Sequence, residues 1–251
     1  MELDRPLTER TDGATVFEVS RAVRTGDIDA DRRLRLDGVA RYLQDIGIDN
    51  LEALDVLDSH PLWIVRRTVI DVVRPAVWPE HLDLSRWCTA FSTRWAAMRV
   101  RIEGDKGALI ETEGFWINIS PDSGMPTRMS DSFIEAIAGS TDEHRLKWKR
   151  ILTEPLPEPG PDVEDTPFPL RATDIDPFDH VNNAVYCQAI EEVLGSELRT
   201  APHRAVIEYL APIQSSDKVV LRTRRDDSAV TVWFLVEDSV RAVARVGQLP
   251  N

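Results

Sequence analysis

No stretch of this 251-residue chain approaches the roughly 18 consecutive apolar residues that a membrane helix needs, so no transmembrane span is expected. The start, MELDRPLTERTDG, has neither the basic region nor the apolar region of an export signal. There are two cysteines, Cys88 and Cys187, without CxxC spacing. That argues against a disulfide framework and for a reducing, cytoplasmic setting. Basic charge is short, with 30 Lys and Arg against 43 Asp and Glu, a net −13. Broad binding to nucleic acid or an anionic membrane surface needs a positive field that this chain lacks. GxGxxG, P-loop and GxSxG patterns are missing, and Asp142, Glu143 and His144 are adjacent instead of one helical turn apart. Neither a cofactor nor a metal is therefore expected.

What the sequence has is a repeat. DIDADRRLRLDGVARYLQ from Asp27 returns as DIDPFDHVNNAVYCQAI from Asp174, 147 positions later. Each is an acidic loop followed by a helical pattern, with Val39, Leu43 and Ile46 on one face of the first and Val185, Ala189 and Val193 on one face of the second. VIDVVRPAVWPEHLDL from Val69 returns as VIEYLAPIQSSDKVVL from Val206, 137 positions later, with Asp71 on Glu208 and Pro75 on Pro212. The first copy uses the ten-residue difference around Asp49 to Pro61. Two copies follow.

Each copy reads as a strand, a loop, one long helix and a run of strands. The first has strands over 15–24, 62–74, 82–92, 96–103 and 108–119; the second over 168–173, 205–210, 218–224, 229–236 and 240–246. Successive strands joined by short turns are antiparallel, which excludes a doubly wound parallel fold. The expected class is α+β: two tandem domains, each an antiparallel sheet wrapped around its helix. Residues 1–152 form the first, 153–166 a Pro-rich acidic linker, and 167–251 the second. A short helix capped by Ser130 closes the first copy.

Chemistry concentrates before the second helix. Asp176 and His180 flank the loop at its mouth, followed by Asn182 and Asn183, where unpaired N–H groups make an oxyanion site. The same residues also suit ordinary helix capping. The copies differ here: the first keeps Asp27 and Asp29 but has Arg33 in place of His180, and Arg35 and Leu36 in place of the asparagines. One active copy and one scaffold copy are the expectation. Cys187 reads as a buried packing thiol. Trp63, with Trp78, Trp87, Trp95 and Trp116, reads as core or as the wall of an apolar tunnel. Local basic groups are Arg66 with Arg67, the set Arg94, Arg99 and Arg101, and the run HRLKWKR from His144 to Arg150. They read as solvated faces or as a docking patch.

WIVRRTVIDVVRPAVWPEHLDLSRW, GFWINISPDSGMPTRMSD and DIDPFDHVNNAVYCQAIEEVL, in that order, resemble the acyl-acyl carrier protein thioesterases of plants and bacteria. The resemblance implies two fused hotdog domains, with the acyl chain held by the first and catalysis by the second. It implies Asp176 and His180, with Asn182 and Asn183, as catalytic residues, and Trp63 and Phe178 as substrate contacts. The family's first motif Asn is Phe178 here, and its distal Glu-Cys falls on Pro212 and Ile213. The implied reaction is cytoplasmic hydrolysis of a fatty acyl thioester in fatty acid biosynthesis, with an acyl carrier protein or CoA thioester as partner and a monomer or homodimer as the working form. A non-hydrolytic acyl-thioester binding protein and a hotdog hydratase are the alternatives.

Overall fold

The computed structural model describes all residues except 1, 2, 4, 61, 196, 198–201 and 251, so Pro61, the end of the first copy's insertion, lies outside the described residues. The strands are β1 (Phe17–Ala22), β2 (Trp63–Arg74), β3 (His81–Phe91), β4 (Trp95–Gly104), β5 (Leu109–Asn118), β6 (Val163–Phe168), β7 (His203–Tyr209), β8 (Val219–Arg225), β9 (Ala229–Val236) and β10 (Ser239–Gln248). The helices are α1 (Leu36–Ala53), α2 (Asp131–Ala138) and α3 (Asn183–Leu194). All ten strands join one antiparallel sheet in the order β1-β3-β4-β5-β2-β7-β10-β9-β8-β6. The two copies thus share a sheet and meet edge to edge at β2 and β7, as an unpartnered sheet edge requires.

That seam carries the repeat's symmetry. Val69 pairs with Val206, its own counterpart, so Arg67 faces Glu208 while Asp71 faces Arg204. Arg204 holds Asp71 through two 2.6 Å hydrogen bonds, and Arg67 reaches Glu208 at 3.3 Å. Both pairs are buried, and each charge finds its partner across the seam. Glu208 also accepts the N–H groups of Ile151 and Leu152, so it works as a structural acceptor on the outer face.

One face of the sheet carries α1 and α3, whose apolar stripes bury Leu36, Val39, Ile46, Ala189 and Ile190 in a common core. The other face is covered by the chain between the halves, where Leu152 packs with Val69, Val206, Trp233 and Leu235. Ser130 caps α2 by accepting the Phe133 N–H at 3.1 Å, which is worth about 1 kcal/mol in helix stability.

One expectation changes. Part of the Pro-rich acidic stretch is β6, which begins at Val163 and pairs with β8, whereas the segment expected as the second copy's first strand contains a 3₁₀ turn over Ala172–Asp174. β6 is an edge strand, and an edge tolerates Pro167 and the exposed Glu164 and Asp165. The basic run from Arg145 is extended chain: Leu146 and Trp148 pack on the outer face beside Phe115, leaving Arg145, Lys147 and Lys149 exposed. Of the other basic candidates, Arg67 is taken by Glu208, Arg99 and Arg101 by Glu111, and Arg66 lies 5.3 Å over the Trp148 ring.

Candidate active site

The loop before each helix folds on its aspartate. In the second half, Asp176 Oδ1 accepts the N–H groups of Phe178 at 2.9 Å and His180 at 3.1 Å, and the Asp176 N–H donates to the His180 carbonyl at 2.8 Å. In the first, Asp29 Oδ1 accepts the N–H groups of Asp31 and Arg33, both at 2.9 Å, and its N–H donates to the Arg33 carbonyl. The left-handed residues correspond as well, Asp179 at φ 59° and Arg32 at φ 66°. So do the anchors, Val181 N–H to the Ile213 carbonyl and Leu34 N–H to the Ala76 carbonyl. Loop closure is therefore common to both copies, and the chemistry lies in what the copies do not share.

The helix starts differ. An α-helix cannot satisfy its first N–H groups internally. At α1 the Leu36 N–H donates at 2.6 Å to Glu191 Oε1, a carboxylate of α3. Glu191 is in turn clamped by Arg33, at 3.2 and 2.6 Å, and Arg33 also binds Asp29 at 3.0 Å. This start is closed. At α3, Asn182 is the N-cap and accepts the Ala184 N–H at 2.9 Å, but among the described residues the Asn183 N–H has no acceptor. The residue corresponding to Glu191 is Gln44, which carries no charge.

Asn183 and Gln44 face a cavity of about 30 Å³ between α1 and the sheet of the first half. Tyr209 and Thr68 line its seam end, and Val100, Met98 and Trp116 its body. Gly114 is required here, because a Cβ would lie 2.3 Å from the Trp116 Nε1; its absence lets the indole lie over the strand. A smaller space of about 10 Å³ in the second half lies at a different place along the helix, beside Tyr186 and Phe234, which pack 5.0 Å apart. Tyr186 stands where α1 has Val39. Burial, then the charge of nearby Asp176, push its hydroxyl pKa above the usual phenol range. Asp176 is half-buried, and among the described residues its Oδ2 has no hydrogen-bond partner.

The expected residues are distributed as follows. Asp176, His180, Asn182 and Asn183 cluster at the open helix start. Trp63 does not line the cavity; it packs 5.5 Å from Phe133 and 6.2 Å from His60 in a satellite cluster. Phe178 is 56% exposed at the loop tip. Pro212 is exposed and Ile213 is core, while Gln214 forms the backbone bridge to His180. Sequence reasoning missed Gln44 and Gln214, although the two offsets place them on Glu191 and Val77 and so flag them as differences between copies. It also missed Tyr209, whose hydroxyl pKa is raised well above the usual range by burial. Both cysteines are buried and free, and burial pushes the Cys88 thiol up to about 12.

Residues 14–137 match the acyl-ACP thioesterase N-terminal domain and residues 158–242 the acyl-ACP thioesterase C-terminal domain. An uncharacterized protein of Mycobacterium tuberculosis is 44% identical over 251 residues, covering 99% of this chain and 98% of its own. Among solved structures, a putative oleoyl thioesterase from Lactobacillus plantarum superposes with a TM-score of 0.78 at 18% identity, covering 96% of this chain and 99% of that one. A 12:0-ACP thioesterase from Umbellularia californica does so at 0.72 and 17%, covering 94% and 98%. These likenesses at low identity establish the shared double-hotdog fold.

Proposed function

The chain belongs to the acyl-ACP thioesterase family, and from that premise we propose that it hydrolyses fatty acyl thioesters at the start of α3, releasing the free acid and the carrier thiol. The observation that carries this reading is the unpartnered Asn183 N–H beside an apolar cavity. The thioester carbonyl binds against that N–H and the positive end of the α3 dipole, which stabilise the oxyanion as it forms. Asp176, anchored through Oδ1, has Oδ2 free to take a proton from water as the water attacks the carbonyl carbon. The tetrahedral intermediate collapses with cleavage of the C–S bond, and His180 supplies the proton to the thiolate.

Acyl carrier protein is the proposed thiol bearer, with Arg145, Lys147 and Lys149 as the exposed basic groups that offset the chain's net −13 at short range. The test is thiol release from acyl carrier and acyl-CoA panels. Turnover above the uncatalysed rate is expected, with carrier thioesters preferred and that preference lost when the three charges are neutralised. Tight binding of both panels without thiol release would overturn hydrolysis in favour of an acyl-binding protein.

A further inference from the structure

Five arginines are buried among the described residues: Arg33, Arg67, Arg86, Arg99 and Arg204. Four hold carboxylates, namely Glu191, Glu208, Glu111 and Asp71. Arg86 does not. Its one hydrogen-bond partner among the described residues is neutral, Asn50 Oδ1 of α1 at 2.7 Å. Period-two alternation along β3 puts Arg86 on the inward face with Leu82, Leu84 and Cys88, a position at which an apolar residue is the ordinary choice. It lines the cavity together with Val100, Met98 and Thr112. Burial pulls the guanidinium pKa down to about 10, a sign that nothing nearby compensates the charge.

An unpaired buried charge costs several kcal/mol, and a saturated hydrocarbon chain laid over it would strip away whatever hydration the cavity still allows. A ligand carboxylate would instead neutralise it and match the planar fork of the guanidinium. Six residues of α1 separate Gln44, at the thioester end, from Asn50, a rise of about 9 Å. We propose that the cavity selects acyl chains bearing a second carboxylate, bound by Arg86 several bonds from the thioester carbonyl. The inference rests on the acyl-thioester reading above and names the substrate class within it. Against plain chains the same arginine acts as a penalty, so discrimination comes from both sides.

The test uses CoA analogues in which a methylene replaces the thioester sulfur, so that the carbonyl remains and cannot be cleaved. Three series of graded length carry a methyl, hydroxyl or carboxylate terminus, and binding is measured by calorimetry. The carboxylate series should bind at least tenfold tighter than the methyl series at one matched length. Arg86→Met should abolish that preference while binding the methyl series as well as the wild type or better, and Arg86→Lys should retain part of it. Equal or tighter binding of methyl analogues by the wild type would overturn the proposal, as would a hydroxyl series equal to the carboxylate series. The wild-type comparison stands even where Arg86→Met does not fold. Thiol release from the matching thioesters separates the two readings: a carboxylate preference in binding without any release leaves the Arg86 assignment in place and removes hydrolysis.

Discussion

The two halves start their long helices with the same backbone and opposite chemistry. Both loops close on an aspartate, turn through a left-handed residue and anchor to the following chain by matching hydrogen bonds. The first half then fills its helix start with Glu191 and clamps the carboxylate with Arg33, whereas in the second the Asn183 N–H has no acceptor among the described residues, and Asn183 lines a cavity together with Gln44. The repeat supplies two equivalent helix starts, with Glu191 of α3 at the start of α1 and Gln44 of α1 lining the same cavity as Asn183 of α3. A charged residue makes the first a structural joint, and a neutral residue at the other leaves room for the proposed site.

The sharpest way to break the comparison is at the joint. Glu191→Ala removes one member of a buried pair, leaving Arg33 with Asp29 alone and the Leu36 N–H without its acceptor, which is expected to cost about 3 kcal/mol of stability. Denaturant unfolding measures it, and Gln44→Ala, its counterpart, should cost under about 1 kcal/mol, as a change at a half-buried position does. Stability losses of equal size would erase the distinction between closed and open starts.

Next in size are the loop residues. Asp176→Asn keeps an oxygen for the Phe178 and His180 N–H groups, so it should melt nearly as the wild type while thiol release falls by about tenfold or more. His180→Ala should do the same. Asp29→Asn, in the equivalent loop, should change the rate little. Equal rate effects from Asp29 and Asp176 would refute the assignment of one active half. The smallest effect is at the loop tip: Phe178→Asn restores the family's amide on an exposed residue and should raise turnover a few-fold at unchanged melting temperature. An unchanged or lower rate would mean that the site orients its reactants without that amide.

Most of the fold could be read in the sequence because its signals are local. Alternation placed nine strands within a few residues, and the 137-residue offset aligned Val69 with Val206, whose pairing at the seam only the structure shows. β6 escaped because its acids and Pro167 are what an edge strand tolerates and what a linker contains. In the site, Asp176, His180 and the asparagines are contiguous and were readable, but the cavity joins α1, β2 to β5, α3 and β7, which only tertiary structure brings together. Trp63 was placed by residue type, whereas strand position puts Trp116 on the cavity and Trp63 against Phe133. Arg86 did leave a trace, as the charged residue in the inward series Leu82, Leu84, Arg86, Cys88.

The central claim is that one backbone N–H at the open helix start stabilises the transition state. Proline is favoured at the first position of a helix and lacks that N–H, and Asn182, at φ −60° and ψ 142°, already has the conformation proline requires of its predecessor. The deciding measurement is kcat/KM for thiol release by Asn183→Pro relative to Asn183→Ala, which loses the side chain alone. With both variants melting alike, Asn183→Pro should be slower by about 10² to 10³, the usual effect of deleting one oxyanion donor. Equal rates for the two variants would contradict the account.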